Sequence, residues 1–267
     1  MEIRDKKQTQ RTGEPKDKKI VNCFYSYFKN SPKKLKIICD WDEVIQPHEP
    51  YALWLTPLSK KQREQEYIEK KIEFSEYFKV FWSEKEVSQI NYSPYGSRLV
   101  IEEDAEKLNQ QQAIKNSSNF YQQAPFLTIA KELLMLIKAG IVEKLIFLSA
   151  YDKRKFPQED PRKHEIFKQT FGKFPNCSLQ LIGFDSEKQG ANKVDWIRTN
   201  ASNFDVVIDD NPLICKSIVE NCGSKVKKTD SNIIVCTPYY PAVAKQHHLN
   251  VILIKTSVAN LEKKDFK

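Results

Sequence analysis

Long apolar runs are missing from this chain. The longest, residues 133–137 and 145–148, are interrupted by Lys138, Glu143 and Lys144, well short of the roughly 20 residues that a spanning helix needs. No membrane partner is expected. The first residues are polar and charged with no apolar stretch, so no secretory signal is expected and the interior of the cell or of an organelle is the default. Cysteine is present but without pattern. Cys23, Cys39, Cys177, Cys215, Cys222 and Cys236 form no CxxC pair and do not cluster with histidine, which argues against zinc and against a disulfide framework. Arginine is scarce, 7 residues against 36 lysines. Nucleic-acid readers lean on the bidentate arginine fork, so that scarcity weighs against base readout. Glycine is scarce too, at 7 residues, and a lysine-rich, asparagine-rich, glycine-poor chain fits an AT-rich coding bias.

What remains is 267 residues with 40% apolar content, enough for a real core in one large domain or a core with a smaller insertion. A charged fraction of 29% and a mean hydropathy of −0.58 fit a soluble protein. The net charge of +8 favours an anionic partner. A small phosphorylated substrate is the first expectation, and nucleic acid stays open as the second.

Along the chain the texture changes three times. Residues 1–19 show no hydrophobic period and read as a basic, disordered tail. Residues 20–45 and 124–267 alternate short β-branched runs with helical patterns, which predicts an α/β core with a parallel sheet covered on both faces, a Rossmann-like arrangement. Residues 46–123 read instead as a mostly helical insertion, a cap, in which Tyr67, Ile68, Ile72, Tyr77, Phe78 and Phe81 recur at helical steps. A turn is expected at Ser93-Pro94-Tyr95-Gly96. The pair Asp160-Pro161 predicts an N-cap with proline in the first helical position.

Three apolar runs end in polar residues of particular kinds. KIIC leads into Asp40-Trp41-Asp42, LIFL stops at Ser149, and DVVI stops at Asp209-Asp210. Ligands of open parallel sheets bind at the carboxyl ends of the strands, so these three ends are expected to converge. Asp40 and Asp42 lie two residues apart, on the same side of extended backbone. One carboxylate can attack phosphorus while the other handles the leaving-group proton. Close carboxylates call for a hard cation with oxygen ligands, and Mg²⁺ fits; Asp209 and Asp210 supply the distant half of such a site. Ser149 can donate to a phosphoryl oxygen, and Lys193 is the candidate to neutralise charge there, with Lys188 as its competitor. His247 and His248 show no partner pattern and are expected to be packing or surface residues; His48, just after Asp40-Trp41-Asp42, is expected to be structural, with contact to substrate as the alternative.

KIICDWDEV resembles the first motif of the haloacid dehalogenase-like superfamily, an apolar strand followed by Asp-x-Asp-x-Thr/Val. LIFLSAYD is similar to the second motif, GANKVDWI to the third and FDVVIDDNP to the fourth; the likeness spans residues 34–254, with the insertion where such proteins carry a cap. The resemblance implies a Mg²⁺-dependent phosphatase in which Asp40 is the nucleophile, forming an aspartyl-phosphate, and Asp42 the general acid/base. It places Ser149 and Lys193 on the phosphoryl group, and around the metal Asp40, the backbone carbonyl of Asp42, Asp209 and Asp210. Trp41, bulky between two aspartates, is expected to contribute chiefly backbone. A second aspartate favours phosphoryl transfer over carbon–halogen chemistry. Three other readings remain: a phosphatase of nucleic-acid ends, a binding or regulatory protein without turnover, and a nuclease using the same carboxylates directly.

Overall fold

The computed structural model describes residues 20–56, 73–81, 90–93, 96–99, 105–184, 189–200, 203–226, 234–239 and 251–267. The expectations for residues 1–19, the hydrophobic stripe at Tyr67, Ile68 and Ile72, Lys188, His247 and His248 lie outside these residues.

The sheet has seven strands: β1 (Ile20–Val21), β2 (Leu35–Cys39), β5 (Val142–Asp152), β6 (Cys177–Phe184), β7 (Val206–Ile208), β8 (Ile234–Tyr239) and β9 (Ile252–Lys255). Their order is β1-β9-β8-β7-β2-β5-β6, and each neighbouring pair runs parallel. From the central strand β2 the chain moves one way through β5 and β6, then returns to the other side for β7, β8 and β9. The reversal lies between β2 and β7, where the crossovers leave opposite faces, the place at which open parallel sheets bind their ligands.

Alternation along the strands sorts side chains onto two apolar faces. Ile37, Cys39, Leu145, Phe147, Val206, Ile208, Cys236 and Ile254 pack on one side with Leu133 and Ile137 of α6 (Thr128–Lys138) and Ile166 of α7 (Pro161–Gln169). Ile38, Ile146, Leu148, Val207, Val235 and Leu253 face the other side, against Val194 and Ile197 of α8 (Gln189–Asn200) and Ile214, Cys215 and Ile218 of α9 (Pro212–Val226). With both faces apolar, the strands read as near-continuous hydrophobic runs, as a sheet covered on both sides requires. The protein is therefore an α/β chain with a single parallel, Rossmann-like sheet. Among the described residues no helix is long and apolar enough to cross a membrane.

Several boundaries differ from expectation. Residues 20–28 form edge strand β1 and the short helix α1 (Phe24–Phe28). Helix α6 starts at Thr128, and Gly140, at φ +70°, follows its C-cap Ala139. Strand β5 continues past Ser149 to Asp152, because β6 keeps pairing with it after β2 has stopped at Cys39↔Phe147. Between β2 and β5 lie, among the described residues, α2 (His48–Leu55), α3 (Phe74–Phe81), α4 (Ala105–Lys115) and α5 (Phe120–Gln123). Beside them stands an antiparallel pair, β3 (Ile90–Ser93) with β4 (Gly96–Leu99), flanking the expected turn. INYS and GSRL are too short and too polar to announce strands by periodicity.

Candidate active site

The loop after β2 is tightly wound. Ile45 N and Gln46 N both donate to Trp41 O, at 2.8 and 3.3 Å, and Glu43 N donates to Gln46 O at 2.8 Å. Glu43 takes a left-handed conformation, φ +59°, to close it. Trp41 does more than lend its backbone. Its ring is fully buried and meets Phe147 and Phe171 edge-on, at centroid distances of 5.1 and 6.3 Å. Its indole N–H donates to Gln46 Oε1 at 2.9 Å, and the Gln46 amide donates to the carbonyls of Tyr121 and Ala124. The bulky residue between the aspartates thus anchors the loop to the core and to the end of the insertion.

Strand pairing fixes the heights of the acidic residues. Asp40 N donates to Ile208 O and Asp209 N to Cys236 O, so both follow directly on the ends of their strands. Asp40, Asp209 and Asp210 are buried, and one carboxylate oxygen from each lies within 4.8 Å of the others. Lys193, from the fifth position of α8, enters this group with Nζ 2.5 Å from Asp40 Oδ2 and 2.7 Å from Asp209 Oδ2. Trp41 N donates to Asp40 Oδ1 at 2.7 Å. The Asn-Pro after Asp210 is a helix start: Asn211 Oδ1 accepts from Leu213 N, Pro212 opens α9, and Asn211 N donates to Asp209 Oδ1.

Electrostatics divide the site. Burial pushes the Asp40 carboxyl up to about 6; Lys193 opposes that rise, while Asp209 and Asp42 add to it. Burial also holds Asp210 well above the usual carboxylate range, with Asp209, Asp40 and Glu43 reinforcing it. Burial alone would lower Lys193, but Asp209 and Asp40 outweigh it and hold the ammonium in its charged form. Three carboxylates and one ammonium leave an excess of negative charge. That donor set, all oxygen and packed within bonding reach of a single ion, fits a hard divalent cation.

Asp42 stands apart from the cluster. Its Oδ2 lies 2.7 Å from Lys163 Nζ, and its Oδ1 accepts from the Tyr121 hydroxyl at 3.1 Å. Burial would raise this carboxyl, but Lys163, His48 and the two hydrogen bonds bring it down to about 2. Lys163 also reaches Ser149 Oγ at 2.6 Å and Ala150 O at 2.8 Å. His48 packs in the aromatic cluster, 5.1 Å from the Phe120 ring and 5.8 Å from Tyr121.

The sequence-derived residues thus assemble in two groups: Asp40, Lys193, Asp209 and Asp210 in one, Asp42 and Ser149 in the other. Lys163 and Tyr121 were missed. Lys163 is the third residue of a helix whose start was legible, but nothing in the sequence marks it as the buried cation among its charged neighbours. Asp160 accepts from Arg162 N at 3.1 Å and Pro161 opens α7, as expected. Tyr121 carried no signal, since one tyrosine in a polar helical stretch is unremarkable.

No family model matches the chain, and no curated protein matches it. The class defined by fold and site is a Rossmann-like α/β protein with a buried cluster of three aspartates at the reversal of strand order.

Proposed function

We propose that the chain is a metal-dependent phosphohydrolase of the haloacid dehalogenase-like type, acting on phosphate monoesters through an aspartyl-phosphate on Asp40. The observation that supports this reading is the sharing of Lys193 by Asp40 and Asp209 at the ends of β2 and β7, with Asp210 completing a group of three carboxylates within 4.8 Å of one another. Asp40, Asp209 and Asp210 would hold Mg²⁺, which supplies positive charge to the phosphoryl oxygens when bound.

In this reading the Asp40 carboxylate forms a bond to phosphorus as the bond to the leaving oxygen breaks. Lys193 keeps Asp40 charged and aimed, and Ser149 donates its hydroxyl proton to a phosphoryl oxygen. Asp42, an anion at neutral pH, is set to take a proton from the water that then cleaves the aspartyl-phosphate. Tyr121 holds one oxygen of that carboxylate through its hydroxyl.

The test is Mg²⁺-dependent hydrolysis of an aryl phosphate, whose leaving oxygen departs without full protonation. Asp40→Asn is expected to lose about 10⁴-fold or more in kcat, and EDTA to abolish turnover. Undiminished hydrolysis by the folded Asn variant would remove Asp40 from the chemistry and this reading with it.

A further inference from the structure

The buried ammonium of Lys163 belongs to none of the four motifs, yet it joins two of them. A lysine has three N–H donors and no acceptor. Lys163 is 2% exposed, and its three protons face three acceptors: Asp42 Oδ2, Ser149 Oγ and Ala150 O. Because lysine can only donate, the Ser149 oxygen must accept, which fixes the direction of that bond. The single hydroxyl proton of Ser149 is then left to point elsewhere, and Ser149 lies beyond the last β2–β5 pair, Cys39↔Phe147, toward the carboxyl end of the sheet. Asp42 is fixed in the same way from two sides, by Lys163 on one oxygen and Tyr121 on the other.

The helix start makes this placement rigid. Asp160 caps α7 and forms a paired contact with the Arg162 guanidinium, at 2.9 and 2.7 Å. Arg162 in turn donates to the carbonyls of Lys115 and Ser117 at the end of α4. Lys163 therefore leaves a helical turn that is clamped on both sides.

We infer that Lys163 is a positioning residue: it makes Ser149 an obligate donor toward a bound phosphoryl oxygen and locks the Asp42 carboxylate beside it. This rests on the phosphohydrolase reading for its consequence in catalysis, but its effect on phosphate binding can be measured without turnover.

The experiment is a double-mutant cycle on the full chain with Mg²⁺ present. Calorimetry measures binding of inorganic phosphate to the wild type, Lys163→Met, Ser149→Ala and the double variant, beside kcat and KM for an aryl phosphate. A charge-assisted network of this kind predicts that each single change weakens phosphate binding about tenfold and that the double variant is hardly weaker than either. Ser149→Thr, which keeps the hydroxyl, is expected to bind like the wild type. Losses that multiply in the double variant, or a Lys163→Met protein that binds phosphate like the wild type, would overturn the inference. Should Lys163→Met fail to fold, Lys163→Gln takes its place, keeping a donor amide without the charge, and is held to the same cycle. A wild type that binds phosphate with this coupling but hydrolyses nothing would sink the phosphohydrolase reading alone. A wild type that binds no phosphate would sink both.

Discussion

The two flanks of the central strand handle negative charge in opposite ways. On the β7 side, Asp40 and Asp209 share one ammonium, Lys193, while Asp210 adds a third carboxylate to the group, so the flank stays short of positive charge. On the β5 side, Lys163 pairs with one carboxylate, Asp42, with a tyrosine hydroxyl added, and the protein neutralises the charge from its own side chains. The difference sorts the roles. A flank left electrostatically incomplete is suited to an external cation, whereas a flank completed internally is suited to holding groups still. Burial sharpens the contrast: the Asp209 side chain is 2% exposed and that of Asp42 is 28% exposed.

The largest way to break the comparison is to remove the ammoniums in turn. Lys193→Met leaves the β7 flank with three buried carboxylates and is expected to cost about 3–5 kcal/mol of unfolding free energy in metal-free buffer. Lys163→Met orphans a single, partly exposed carboxylate that keeps its tyrosine, so its cost should be clearly smaller. Urea denaturation of the two variants measures both. Equal losses would mean that the flanks are not electrostatically distinct.

A third ion pair, outside both flanks, shows what full neutralisation does for stability. Glu49 of α2 accepts from Lys115 and, at 3.0 Å, from Gln111, both on α4. Burial would raise its carboxyl, but Lys115 and His48 bring it from 4.5 down to about 2. A depressed folded-state value stabilises above the unfolded one and is lost as pH falls. The pair should therefore contribute roughly 3 kcal/mol near neutrality, disappearing between about pH 4.5 and 2. Chemical denaturation across that window, for the wild type and Glu49→Gln, is the measurement; the variant should show a flatter acid limb. Identical pH slopes would leave this pair without a role in the acid response.

Much of this arrangement was legible beforehand, and the reason is geometric. The buried strands are short β-branched runs, and a run that stops at an aspartate or serine in a parallel sheet delivers that side chain to the carboxyl edge. Asp40, Ser149 and Asp209 were readable for that cause, and Lys193 only through the likeness of GANKVDWI to the third motif. Lys163 was not, because the stretch Pro161-Arg162-Lys163-His164-Glu165 reads as a solvated helical face, and only tertiary contact shows one of its cations buried. The hairpin of β3 and β4 was hidden by its polarity. Trp41 was misjudged because a position defined by its backbone can also serve the core.

The finest discrimination between the flanks is Asp210→Asn set beside Asp42→Asn. Burial and its acidic neighbours hold the Asp210 carboxyl well above the usual range, so its ionised form is costly in the metal-free protein. Replacing it with an uncharged amide should change metal-free stability by less than about 1 kcal/mol, and in the stabilising direction if at all. With Mg²⁺ added the order reverses. A cation that binds only the folded chain raises Tm by mass action, about 2.7 kcal/mol of stabilisation at a hundred times its dissociation constant, and Asp210→Asn should lose much of that rise. Asp42→Asn should keep it, since the Asp42 carboxylate faces Lys163 and lies outside the acidic cluster. Thermal melts of both variants over a Mg²⁺ series decide the matter. A full Mg²⁺ response in Asp210→Asn, or one lost equally in Asp42→Asn, would mean that the incomplete flank is not where the cation goes.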